Sequence, residues 1–167
     1  MSWSYFFNHH KGMLIGHEDN NRDQDEHMTV TLHHNWMQQE TRGPRVRFAR
    51  VHVYNAYYDG MREAVTSHMD ARVVVEHSFF YDVDLATKYN SSKYGSYDDD
   101  NQGLGELVQR DNVFVQVDDD DINAYGDAFD PAELYDYEVD DAILVPGLVM
   151  AYAGAGKKYT DRWRHLV

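Results

Sequence analysis

Between Arg72 and Leu85 the chain alternates: Val73, Val75, His77, Phe79, Tyr81, Val83 and Leu85 interleave with Arg72, Val74, Glu76, Ser78, Phe80, Asp82 and Asp84. A period of two belongs to extended backbone, with one set of side chains on each face. At about 3.3 Å per residue the thirteen positions from Val73 span roughly 40 Å, whereas most strands hold about five or six residues. A strand of this length bends across two sheets or projects from its domain. β-Structure is therefore the frame of the fold.

Met28, Val30, Leu32, His34 and Trp36 alternate in the same way with Thr29, Thr31, His33 and Asn35. After the turn residues Thr41-Arg42-Gly43-Pro44, a second strand is expected from Arg45 to Val53. Its apolar parity switches between Val46/Phe48 and Val51/Val53, which predicts a bulge near Ala49-Arg50. The pair reads as a hairpin. Tyr54, Tyr57, Tyr58, Met61, Ala64, Val65, His68 and Met69 recur at helical spacing and predict the principal helix. A short helix is expected over Leu104–Gln109, a strand over Asn112 to Val117, a helix start at Asp130-Pro131, and a buried strand over Ala142–Val145. No internal repeat is visible. The sum predicts a single α+β domain over 1–167, mainly antiparallel sheet of sandwich or barrel-like form, with one principal helix and a short second one. A long polar loop is expected at 87–102 and a basic C-terminal tail at 157–167.

The charge is lopsided: 29 Asp+Glu face 15 Lys+Arg, a formal net charge of −14. Asp outnumbers Glu more than two to one, and Arg outnumbers Lys two to one. Self-repulsion of this size suits an environment where salt screens charge within a few ångströms. Such a composition resembles proteins of extreme halophiles and their viruses, and places the chain in a virion or in the cytoplasm of a high-salt host. The N-terminal residues lack the pattern of a secretory signal. The most apolar stretch, Ala142 to Ala155, is broken by Pro146-Gly147 and is too short to span a bilayer, so no membrane partner is expected. With no cysteine there is neither a disulfide framework nor a thiolate site.

Motifs for chemistry are sparse. The adjacent pairs His9-His10 and His33-His34 would point to opposite faces of a strand, and no two-histidine zinc motif occurs. Asp98-x-Asp100-x-Gln102-Gly103 and Asp121-x-Asn123-x-Tyr125-Gly126 echo the opening of a calcium loop, but Gln109 and Ala132 stand where a bidentate Glu is required. Asp98, Asp100, Asp119 and Asp121 are the candidate ligands of a structural Ca or other cation; otherwise no cofactor is expected. Gly154-Ala155-Gly156-Lys157 lacks the first glycine and the hydroxyl residue of a phosphate loop. No catalytic residue is assigned.

Two basic islands interrupt the acidity: Arg42, Arg45, Arg47 and Arg50, and then Lys157, Lys158, Arg162 and Arg164 around Trp163. Guanidinium forks bind carboxylates or phosphates bidentately. Against a charge of −14, specific nucleic-acid binding is not expected; a patch on one subunit meeting an acidic loop on the next uses both features. The expected function is a structural assembly protein without enzymatic activity. It would be a virion component of a halophilic tailed virus, such as a head–tail connector, tail or capsid accessory subunit. Its partners would be copies of itself in a ring and other virion proteins. The alternatives are a small halophilic enzyme with a His/Asp site that spacing does not reveal, and a cation-dependent binding module.

Overall fold

A computed structural model describes residues 1–89 and 103–157. Among them run thirteen short strands: β1 Tyr5–Phe7, β2 Leu14–Ile15, β3 Thr29–His33, β4 Trp36–Gln38, β5 Arg45–Arg47, β6 Arg50–Tyr54, β7 Tyr57–Asp59, β8 Val65–His68, β9 Arg72–Glu76, β10 Phe79–Tyr81, β11 Thr87–Tyr89, β12 Glu106–Arg110 and β13 Val113–Val115. No strand pairs with its neighbour in sequence. Each pairs in parallel with the strand three further along. The result is a first sheet in the order β12-β9-β6-β3, a second in the order β1-β4-β7-β10-β13 and a third in the order β11-β8-β5-β2. The chain thus winds as a parallel β-helix, one strand of each sheet per coil. Thr29, Arg50, Arg72 and Glu106 share one register position, so successive coils are 21, 22 and 34 residues long.

What turns the chain is a column of corners between the first and second sheets. Trp3, His34, Asn55, His77 and Asp111 sit at φ 52°, 51°, 50°, 45° and 49°. A single left-handed residue redirects extended chain without reversing it, and Asn, Asp and His are enriched in that conformation. The next position is short and polar in every coil but one, where it is Ala56, and three of these side chains take up backbone donors left over at the bend. Asn35 Oδ1 accepts from Ser4 N (3.0 Å), Ser78 Oγ from Ala56 N (3.1 Å), and Asn112 Oδ1 from Ser78 N (2.9 Å).

Inward-facing residues of successive coils stack into the core. Met37, Tyr58, Phe80 and Phe114 are in register. The Tyr58 and Phe80 rings lie parallel at 4.4 Å, and those of Phe80 and Phe114 at 4.9 Å. Val51, Val53, Val73, Val75 and Leu107 fill the first sheet's side, and Val46 and Val65 the third's, all fully buried; each such side chain stabilises by roughly 1.5–3 kcal/mol. Among the described residues, besides a single helical turn, α1 (Arg22–Asp25), there is one longer helix, α2 (Val145–Tyr152). Val145 and Val149 seal the outer face of the second sheet against Trp36, Tyr57 and Phe79. The stretch 130–141 straps the outer face of the first sheet, where the Tyr135 hydroxyl accepts from Thr31 Oγ1 at 3.0 Å and meets His52 Nδ1 at 2.5 Å.

The expected antiparallel sandwich or barrel with one principal helix is therefore overturned: the sheets are parallel throughout. The segment read as that helix, 54–69, holds the end of β6, then β7 and β8. In it, two short strands with a loop between them imitate helical spacing. The thirteen-residue strand is β9 and β10 joined at the His77-Ser78 corner, which changes parity: Val73 and Val75 face the core before it and Phe80 after it, while Phe79 turns outward. The supposed bulge is the Phe48-Ala49 corner (Phe48 φ 57°), and it changes parity. Leu104–Gln109 is not helical but leads into β12. Ala142–Leu144 is a 3-10 turn opening α2 rather than a strand. The Asp130 cap is present, accepting from Ala132 N at 3.1 Å, but it starts only the 3-10 turn Pro131–Glu133. A repeat is present after all, at the coil period.

Candidate functional site

On β5 the side chains alternate, so that with Val46 turned into the core Arg45 and Arg47 stand on the outer face of the third sheet. Register places Leu14, Arg45, Thr66 and Lys88 in one column across β2, β5, β8 and β11. Beside this column run the connections from the second sheet to the third. There Thr41 bridges to Lys11 on one side and to Glu63 on the other. Arg42 N donates to Glu63 O (3.1 Å) and Gly43 N to Ala64 O (2.7 Å), which fixes Arg42 at φ 67°.

The two features enclose a groove of about 380 Å³ into which Lys11, Arg42, Arg45, Arg62 and Lys88 face, with Glu63 and Asp84 as its carboxylates. The cations come from four successive coils. Arg62 is 3.4 Å from Glu40, whose other oxygen meets His10 Nδ1 at 2.5 Å; that hydrogen bond is the main reason the Glu40 carboxyl is held below its usual value. Lys11, Arg42 and Lys88 form no ion pair among the described residues. Burial lowers the Arg45 pKa; Glu63 and Asp19 oppose this, and Arg47 and Arg42 add to it. Next to the groove Arg47 pairs with Asp19, and buried His68 lies 3.7 Å from the same carboxylate. Burial pushes His68 down to about 4 against the pull of Asp19, so the imidazole is neutral at neutral pH. A concave, cation-lined surface in a chain of net charge −14 is suited to a ligand with several carboxylates.

A larger cavity, about 630 Å³, opens at the corner column between Trp3, Tyr54, Tyr137, His33 and His34, with Asp136 and Glu138 at its rim. Its rings are occupied with one another: Trp3 stacks on His34 at 4.4 Å and His33 on Tyr54 at 4.8 Å. His34 Nε2 meets Asp140 at 2.8 Å. Among the described residues no Lys or Arg lines it, so the smaller groove carries the stronger chemical signal.

The first basic island is brought together only in part. Arg45 and Arg47 share the third sheet's outer face with Arg42 close by, while the Phe48 corner sends Arg50 to the first sheet. Lys157 Nζ donates to Met150 O at the end of α2 (2.5 Å); Lys158, Arg162, Trp163 and Arg164 lie outside the described residues. Asp119 and Asp121 form a 3-10 turn, and Asp98 and Asp100 lie outside the described residues. Among the described residues no three His, Asp or Glu side chains come together as a metal site. Sequence reasoning missed Lys11, Arg62 and Lys88 as members of one groove. The signal was the coil period: Lys88 follows Thr66 by one coil and Arg45 by two.

Residues 1–158 match the family model described as pectate lyase. Pectate lyase plyB of Emericella nidulans is 42% identical over 101 residues, covering 58% of this chain and 31% of that enzyme. Pectate lyase A of the same organism is 29% identical over 157 residues, covering 92% of this chain and 43% of that enzyme. A solved Bacillus sp. pectate lyase, in complex with trigalacturonate, superimposes with a TM-score of 0.77 at 30% identity, covering 93% of this chain and 48% of that one. The chain thus spans less than half the length of each of these relatives. The matches overturn the expectation of a non-enzymatic virion subunit, whether connector, tail or capsid accessory protein. With it go the ring of identical copies and the viral partners, which rested on the virion reading.

Proposed function

The chain belongs to the pectate lyase family, and from that premise we propose that its cationic groove binds pectate, a polymer of uronate sugars, and cleaves it by β-elimination. The observation that carries this reading is the convergence of Lys11, Arg42, Arg45, Arg62 and Lys88 from four coils onto one face. A polyuronate presents a carboxylate on every ring, and guanidinium forks are the side chains best matched to that geometry. The trigalacturonate in the Bacillus sp. relative supports the same substrate class.

In the elimination, a base removes the proton on C5, next to the carboxylate. The electron pair forms the C4=C5 double bond, the C4–O4 bond breaks, and O4 leaves with a proton. Negative charge builds on the carboxylate as the C5 proton departs, so a guanidinium paired to it stabilises the transition state more than the ground state. Arg42 and Arg45 are the half-buried forks of the groove, whereas Arg62 is exposed. Burial and the neighbouring guanidiniums ease proton loss from Arg45, which suits this pair to supply both the clamp and the base.

Pectate Lyase C from Erwinia chrysanthemi has been solved with Ca2+. The described residues do not fit that ion in this groove. Its two carboxylates, Glu63 and Asp84, stand among five cations, and Glu63 Oε1 already accepts from Thr66 Oγ1 at 3.0 Å. No step here runs through calcium.

Arg42→Lys and Arg45→Lys keep the charge and remove the fork. Each is expected to lower kcat by about 10²-fold or more, read from the ultraviolet absorbance of the unsaturated uronate product, with circular dichroism unchanged. A wild-type protein that makes no unsaturated product, or two variants as fast as wild type, overturns the proposal.

A further inference from the structure

We infer that Lys88 is a distal subsite that holds a second ionised substrate carboxylate, two strands along the coil axis from Arg45. The inference rests on the pectate reading of the groove and adds a position to it. Arg45, Thr66 and Lys88 are register partners on consecutive strands, and neighbouring strands lie about 4.8 Å apart. The cationic ends of the column are therefore separated by about 10 Å along the axis, before side-chain reach is counted. The column position between them carries no charge of its own: Thr66 is fully buried and its hydroxyl is donated to Glu63, and that coil's cation, Arg62, lies outside the column and is paired with Glu40. Lys88 is half-buried in the groove wall and has no ion pair among the described residues, although Asp84 lines the same groove. In a chain where Arg22, Arg47, Arg62 and Arg110 all have carboxylate partners, a lysine held in a groove wall without one is placed for an anion from outside.

An ammonium there reads charge rather than shape, because Lys is a point donor without the planar fork of Arg. Cations at both ends of one column fix the ligand as a polymer lying along the coil axis. It must be long enough to reach both ends and unesterified where it meets Lys88. The subsite thus adds a demand on chain length and on the ionised state of a sugar remote from the broken bond.

Lys88→Gln and Lys88→Arg test this with digalacturonate, hexagalacturonate and methyl-esterified hexagalacturonate, using KM and kcat where cleavage occurs and calorimetric Kd otherwise. For Lys88→Gln the hexamer's KM is expected to rise about threefold to fivefold, the range of a partly exposed ion pair. Its kcat and the dimer's affinity stay unchanged, Lys88→Arg restores the hexamer, and the esterified hexamer does not respond to the substitution. Lys88→Gln indistinguishable from wild type on the hexamer, or equally impaired on dimer and hexamer, overturns the subsite alone. A wild-type protein that neither binds nor cleaves any of the three overturns the pectate reading and the subsite with it.

Discussion

Glu76 Oε1 lies 3.0 Å from His52 Nε2, a buried pair on neighbouring strands of the first sheet that ties the strap 130–141 to the coils. His52 Nδ1 meets the Tyr135 hydroxyl, and Arg110 Nη1 stands 3.6 Å from the second Glu76 oxygen. Burial pushes the Glu76 carboxyl up, but hydrogen bonds from His52 and Tyr137 outweigh it and leave the pKa lowered. Glu76→Leu removes the acceptor from this knot and is expected to cost about 3 kcal/mol or more. Faster amide exchange should be confined to the strap and the first sheet, with the elimination proposed for the groove unaffected at temperatures where the variant stays folded. An exchange pattern unchanged from wild type would show that the strap is held by something else.

Two imidazoles, half-buried His33 and buried His68, set an acid limit on stability. His33 and His68 are each pushed down to about 4 from 6.5, in both cases chiefly by burial. A histidine whose folded pKa lies below its unfolded one makes the folded state bind fewer protons. Its contribution is complete above pH 6.5 and is lost as pH falls from 6.5 toward 4. Stability measured by urea unfolding should therefore decline across that window, and His68→Phe should flatten the slope. A plateau from pH 6.5 to 4 in the wild type would contradict the burial of both rings.

Asn55 holds its corner in two ways. Its backbone is left-handed, and its side chain donates to His77 O (2.9 Å) and Asp140 O (2.7 Å) and accepts from Asp140 N (2.9 Å). Asn55→Ala loses the bonds and strains the backbone, at about 2–4 kcal/mol. Asn55→Gly keeps the turn and loses only the bonds, and should cost roughly half as much. Melting temperatures in the order wild type, Gly, Ala are expected; Ala above Gly would refute the corner's backbone role.

Much of the β-structure was legible in the sequence, because inward and outward residues alternate on strands wherever they pair. The pairing was not, since alternation says nothing of which strand lies alongside. The clue was Arg50-Val51-His52-Val53 answered by Arg72-Val73-Val74-Val75, 22 positions later, and by the corner residues His34, Asn55, His77 and Asp111 at the same spacing up to the longer last coil. Arginines 42, 45 and 47 were visible as carboxylate-binding forks. Lys11, Arg62 and Lys88 were not, because only coiling brings residues from other turns beside them.

From Arg72 to its register partner Glu106 the chain takes 34 residues, against 22 for the coil before, yet β12 lies on β9 in the same alignment that β9 keeps on β6. Ladder hydrogen bonds count strands, not the path between them. The span from Lys88 onward can therefore lengthen or shorten under selection while every stacked ring in the core stays where it is. In this architecture a coil can gain residues between two of its strands while the strands on either side keep their partners, and the scaffold need not be redesigned to follow.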